Sequence, residues 1–139
     1  MGKSVRDAMT SNPCTIEADK PVAYAAKMMK DENVGIAPVV EGERLVGTLT
    51  DRDVVVRVVA EGRDPHTVNV REVMSIAPVT VEPEHDLDEA LRLMASHQVR
   101  RLPVVEDGDR VVGVLAQADV AEETKAKKTG ELVEEISKD

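Results

Sequence analysis

Val34 to Asp53 spell VGIAPVVEGERLVGTLTDRD, and Val99 to Asp119 spell VRRLPVVEDGDRVVGVLAQAD. Each stretch holds two short runs rich in β-branched and aliphatic residues around a glycine-bearing turn. Ile36 to Val40 and Leu45 to Leu49 flank Glu41 to Arg44, and Arg101 to Val105 and Val111 to Leu115 flank Glu106 to Arg110. That pattern predicts two β-hairpins of one design. One extra residue in the second copy sits between Pro103-Val104-Val105 and Gly113.

Working outward, a shift of 65 residues maps Val5, Arg6, Asp7 and Met9 onto Val70, Arg71, Glu72 and Met74, and likewise Pro13 onto Pro78, Ala25 onto Ala90 and Met29 onto Met94. Self-similarity on this scale marks a duplicated supersecondary unit. Ser4 stands three residues before Asp7, and Asn69 three before Glu72, so each copy opens with a helix-start signal and a helical turn ending near Met9 or Met74. Pro13 and Pro78 interrupt it, and Cys14-Thr15-Ile16 and Val79-Thr80-Val81 suit a short strand. Val22, Ala25, Ala26 and Met29, matched by Leu87, Ala90, Leu91 and Met94, form the i, i+3, i+4, i+7 stripe of a half-buried helix. After each hairpin a second helix is expected. Thr50 with Asp53 three residues on makes a capping box, Gly62 suits a stop, and Asp119 to Lys128 reads as helix.

The expected class is α+β, with repeats of strand, helix, strand, strand, helix over 1–60 and 70–130, a linker at 61–69 and a charged tail at 131–139. A three-stranded sheet with one uncovered apolar face cannot close a core alone, so the copies are expected to pack together about a pseudo-two-fold axis, with clefts along the midline.

Composition narrows the function. There are 18 Lys plus Arg against 27 Asp plus Glu, for a net charge of -9, which repels a polyanion, and Tyr24 is the sole aromatic, so no stacking platform for nucleic acid is available. The core must be aliphatic. No apolar run approaches the length of a membrane span, and Gly2 lacks the Ser or Thr that a myristoylation start needs, since Arg6 holds that place. A lone cysteine, Cys14, and a polar Met1 to Asp7 lead to the expectation of a reducing, cytoplasmic setting.

The order of elements, with a Pro-Val-Val strand followed by Gly47-Thr48-Leu49-Thr50-Asp51-Arg52-Asp53, resembles the cystathionine β-synthase (CBS) domain over nearly the whole chain. Similar members include the regulatory modules of inosine monophosphate dehydrogenases, the γ subunit of AMP-activated kinase and free-standing bacterial proteins. The resemblance implies a CBS pair, or Bateman module, with two clefts able to hold AMP, ADP, ATP, S-adenosylmethionine or related ligands. It also implies dimers of such pairs and a regulated partner protein.

The family's signature is Gly, two apolar residues, Thr or Ser, two variable residues, then Asp. The first copy matches at Gly47, Thr50 and Asp53, while the second keeps Gly113 and Asp119 but has Ala116 in place of the hydroxyl. In that reading the carboxylate accepts from ribose hydroxyls, and the hydroxyl on a helix's first turn contacts phosphate. Each cleft is shared between repeats. The main cleft is therefore expected from Thr50 and Asp53 with Ala77, Pro78, Val79, Val99, Arg100 and Arg101. A weaker one is expected from Asp119 with Asn12, Pro13, Cys14, Val34, Gly35 and Ile36. Arg100 and Arg101 are assigned to the main cleft as phosphate partners, with Gly35 and Ile36 their counterparts in the other.

Simpler readings compete with these. Thr50 and Asp53 also make an ordinary capping box, Arg100 and Arg101 could form surface ion pairs, and Cys14 suits a small buried apolar site. His66, His85 and His97 lack zinc-ligand spacing, and Met28, Met29 and Met94 read as core filler. Neither a catalytic triad nor a Walker loop can be placed, so no enzyme is expected. The alternatives to a nucleotide sensor are a ligand-free dimerisation or interaction module and, last, a metal or redox sensor using Cys14.

Overall fold

The computed structural model describes residues 3–76 and 79–123. Ala77, Pro78, the end of the helix expected over Asp119 to Lys128 and the tail at 131–139 lie outside the described residues. The elements are α1 (Val5–Ala8), β1 (Thr10–Ser11), β2 (Ile16–Glu17), α2 (Val22–Glu32), β3 (Ile36–Glu41), β4 (Arg44–Thr50), α3 (Asp51–Val54), α4 (Val70–Val73), α5 (Leu87–His97), β5 (Arg101–Glu106) and β6 (Arg110–Ala116). Residues 117–123 form a further helix, α6.

The duplication holds at fine grain. α2 and α5 are both 11 residues long, and both end on a left-handed residue, Asn33 and Gln98, which are 65 apart. Both hairpins carry a register shift at the same place, between Val39 and Val40 and between Val104 and Val105. The extra residue of the second copy falls in the turn, where Asp107, Gly108 and Asp109 all take positive φ. The valine-rich stretch after Thr50 is helical, but Val55–Val59 widens into a π-helical turn. Five of the six residues from 54 to 59 are valines, whose branched side chains crowd an α-helical turn. Gly62, at φ +66, then ends the helix.

One expectation needs correcting: the two repeats are not self-contained sheets that merely face one another. β1, at the front of the first repeat, pairs with β6 of the second, with Thr10 opposite Val114 and Ser11 opposite Gly113. Ser75, at the front of the second repeat, bridges back to Thr48 on β4. The cores cross in the same way. Val70 and Val73 of α4 are buried with Ile16, Val22, Val39 and Leu49 of the first repeat, whereas Val5 of α1 is buried with Val81, Leu87, Leu102 and Leu115 of the second. Burying a valine fully is worth roughly 1.5–3 kcal/mol, so each half draws part of its stability from the other's leading segment.

Gly47 and Gly113 permit the crossing. A Cβ on Gly47 would lie 2.7 Å from the Ser75 carbonyl oxygen, and one on Gly113 would lie 2.7 Å from Met9 Sδ and 2.9 Å from the Thr10 carbonyl oxygen. The crossed arms bring the hairpin ends together as well. Leu45 N donates to the Asp109 carbonyl at 2.9 Å, and Val111 N to that of Glu43 at 3.3 Å.

Candidate functional site

The crossing leaves a cleft on either side of the seam. On one side β4 ends at Thr50, which caps α3 with a complete box: Asp53 N donates to Thr50 Oγ1 at 3.0 Å, and Thr50 N to Asp53 Oδ2 at 2.9 Å. Asp53 is only 8% exposed, and its other oxygen accepts from Ser75 Oγ at 3.0 Å, with Arg57 Nε at 3.9 Å. Arg57 in turn donates to the carbonyls of Val73 and Met74 at 3.1 and 3.0 Å. The Asp53 carboxylate is thus the knot tying α3 to the end of α4. Beside it lies a cavity of about 400 Å³ with Thr50, Ser75, Val99, Arg100 and Arg101 on its walls, together with Asp51 and Arg52.

Set against expectation, this Thr50 cleft receives Thr50, Val99, Arg100 and Arg101, but Asp53 and Val79 are not on its walls. The sequence placed Asp53 in the cleft because the signature pairs it with Thr50. The geometry turns its carboxylate inward, where Ser75 supplies the hydroxyl that a ribose would have offered. Ala77 and Pro78 lie outside the described residues.

On the other side, a cavity of about 510 Å³ is lined by Asn12, Pro13, Cys14, Val34, Gly35, Ile36 and Asp119, all seven residues assigned to that cleft. Glu32, Asn33, Thr10, Arg101 and Ala116 complete the wall. Asp119 is half-buried, and with Ala116 at the head of its helix there is no hydroxyl to form a capping box. Among the described residues its carboxylate makes no hydrogen bond or ion pair. Burial, and then the charge of and hydrogen bond to Glu32, push the Cys14 thiol above the usual cysteine range. The Asp119 cavity is the larger of the two, and both have a carboxylate on the wall, Asp119 in one and Asp51 in the other.

A second correction concerns the arginines. Arg101 is not confined to the Thr50 cleft, because its side chain also lines the Asp119 cleft, and so does Ile36 on both sides. Gly35 lies beside both Arg101 and Asp51: a Cβ there would sit at ordinary contact distance, 3.6 Å, from Arg101 Nη2 and at a tighter 3.2 Å from Asp51 Oδ2. Sequence reasoning passed over Ser75, Glu32 and Asn33. The 65-residue register held the clue to Ser75, since it matches Thr10, a second hydroxyl residue at the mouth of the opposite cleft.

A duplicated hairpin-and-helix unit with crossed leading segments and paired clefts is what one family model describes. The CBS domain model matches residues 5–60 and again 70–125. The chain belongs to the CBS domain family. CBS domains are regulatory modules, and this chain consists of two of them over most of its length.

The CBS domain-containing protein YhcV of Bacillus subtilis is 47% identical over 118 residues, covering 85% of this chain and 83% of YhcV. Hypoxic response protein 1 of Mycobacterium tuberculosis is 34% identical over 119 residues, covering 85% and 82%. A crystal structure of Hypoxic Response Protein I, with two coordinated zinc ions, superposes with a TM-score of 0.78 over 86% of this chain and 98% of that one. Among the described residues of the present CBS pair, no group of three or more His, Cys, Asp and Glu could hold a metal ion. CBSX2, solved in complex with AMP, is 25% identical with a TM-score of 0.78 over 91% of this chain and 99% of that one. Among the described residues no helix of this CBS pair is long and apolar enough to cross a membrane.

Proposed function

We propose that this CBS pair is a ligand-sensing regulatory module that binds an adenine nucleotide in the clefts between its repeats, with Asp119 as the ribose-binding carboxylate. The observation that carries the reading is the Asp119 cleft itself. Residues of both repeats meet around about 510 Å³, with the Asp119 carboxylate and the Arg101 guanidinium on the wall. A carboxylate without a competing cap accepts from two ribose hydroxyls, while aliphatic side chains and backbone groups from Pro13, Cys14, Val34 and Ile36 hold the base. The complex of CBSX2 with AMP supports the choice of ligand class. Thr50, Arg100 and Arg101 suit the phosphate of a second nucleotide on the other side. Occupancy then biases the angle between the repeats, or between two pairs in a homodimer, and a partner protein reads the change. Coupling of this kind is typically about 1–3 kcal/mol.

A thermal-shift panel of AMP, ADP, ATP, S-adenosylmethionine and NADH tests the reading. A ligand at 100 times its dissociation constant adds about 2.7 kcal/mol of stability. A shift with at least one adenine nucleotide, lost in Asp119→Ala, is the expected result; no shift with any of them rejects it. One observation favours a ligand-free interaction module instead: Tyr24, Val55, Val56 and Val59 expose apolar surface on α2 and the helix after Thr50. An absent thermal shift together with concentration-dependent association would select that reading.

A further inference from the structure

The wall between the clefts is built from one pseudo-symmetric pair of residues. Ile36 and Arg101 are 65 positions apart, and both line both cavities. A symmetric duplication would place either two cations there, one for each cleft, or none. This chain has one, and it lines both cavities.

The surroundings of the clefts differ in charge. The Thr50 cleft has Arg52 and Arg100 besides Arg101, against Asp51. The Asp119 cleft has Glu32 and Asp119, and Arg101 is the only cation among the described residues that line it. Among the described residues Arg101 makes no salt bridge. Among the described residues, a phosphate in the Asp119 cleft meets Arg101 as its cation, and one in the Thr50 cleft meets Arg101 together with Arg52 and Arg100, so the same guanidinium adds to the binding of either.

We propose that Arg101 is a shared anion-binding residue that couples the two clefts negatively, so that a phosphate-bearing ligand held on the Thr50 side disfavours one on the Asp119 side. The inference rests on the nucleotide-binding reading above and adds the rule by which the two sites communicate. A charge-assisted hydrogen bond available to only one of two ligands separates their affinities by about tenfold or more. The penalty is reciprocal, whichever cleft fills first. A nucleoside without phosphate escapes it.

The test is calorimetric titration of the whole chain with AMP, with adenosine as the uncharged control. Val34→Trp blocks the Asp119 cleft and its counterpart Val99→Trp blocks the Thr50 cleft. With AMP, wild type shows a tight and a weak step. Independent sites require that one of the two blocked variants keep the weak wild-type constant. Under sharing neither does, and each retains one step about tenfold or more tighter than that weak step. Arg101→Ala, an exposed substitution that keeps the proposal testable if a tryptophan variant misfolds, weakens the first AMP step about tenfold and leaves the weak step and adenosine binding unchanged. Ile36→Arg, which restores the missing cation, tightens the weak AMP step. A blocked variant that preserves the weak step, or Arg101→Ala weakening both steps alike, overturns the coupling while leaving nucleotide binding intact. No AMP or adenosine binding at all would remove the nucleotide reading, and the coupling with it.

Discussion

Asp53 and Asp119 occupy the same place in the repeat but have different surroundings, one tied to Thr50 and Ser75 and the other on a cavity wall, which makes Asp53→Ala a sharp test. Its carboxylate is 8% exposed and accepts from the Thr50 amide at 2.9 Å and the Ser75 hydroxyl at 3.0 Å, with Arg57 nearby at 3.9 Å. Removing it leaves both donors without that acceptor in a largely buried spot and breaks half of the capping box. Hydrogen bonds to a charged group contribute about 1.5–3 kcal/mol each, and a lost cap about 1, but bonds within one network do not add fully. A loss of about 2–4 kcal/mol of folding stability follows, a drop in melting temperature on the order of 10 °C for a chain this size. Asp119→Ala removes a half-buried carboxylate with no bonded partner among the described residues and should stay within about 0.5 kcal/mol of wild type. Melting without ligand measures both, and repeating it with AMP separates structure from binding: Asp53→Ala should keep the AMP-induced gain and Asp119→Ala should lose it. Wild-type melting of Asp53→Ala would show that its carboxylate does not hold α3 to Ser75, and full AMP protection of Asp119→Ala would show that AMP binds without that carboxylate.

The crossed arms and the half-buried Cys14 thiol give three more expectations. Gly47→Ala or Gly113→Ala forces a Cβ to within 2.7 Å of the arm crossing it, so each should cost about 1–3 kcal/mol and lower the urea midpoint, and an unchanged midpoint would contradict the close approach. Val5→Ala, at a fully buried position in the second core, should cost about 1–3 kcal/mol, and a fragment starting at residue 66 should melt without a cooperative transition because that core lacks its plug. The Cys14 pKa is raised by burial and by Glu32, so at a given pH less thiolate is present than in a free cysteine. Its rate of alkylation by iodoacetamide should therefore rise only at higher pH than for a free thiol, move back down in Glu32→Gln, and slow when AMP fills the Asp119 cleft. A profile at or below the ordinary cysteine range would count against the stated surroundings.

Periodicity and punctuation carried most of the fold, because they report local choices. The apolar stripes of α2 and α5, the turn at Gly42 and the stop at Gly62 depend on residues within a few positions of each other. The crossing of the arms did not show in the same way. Val5 and Val70 look alike in sequence, and nothing local says that each is buried in the other repeat's core. The signal was present in Gly47 and Gly113, whose small size a strand has no need for unless another backbone comes close. The Asp119 cleft was legible because its walls are mostly loop and strand-end residues fixed by the duplicated frame. The Thr50 cleft was only half legible, because whether Asp53 faces a ligand or the protein depends on Ser75, more than twenty residues away.

That contrast separates what the duplication conserves from what it frees. Positions that must satisfy packing twice stay apolar in both copies, and some, such as Ala25 and Ala90 or Met29 and Met94, are identical. Core pairs such as Val22 with Leu87 and Ala37 with Leu102 differ in size but remain apolar, whereas three pairs on the seam differ in chemical character: Ile36 with Arg101, Gly35 with Arg100, and Thr50 with Ala116. There one side chain can change without opening a core, because the neighbour is a cavity rather than a packed face. A symmetric scaffold with an asymmetric seam yields two sites of different charge joined at a common wall, and such a pair can respond to two ligands, or to two concentrations of one, in ways a single pocket cannot. The sequence differences at the seam are therefore the place to look for what the module senses, and Arg101, which reaches both sides, is the residue through which one cleft affects the other.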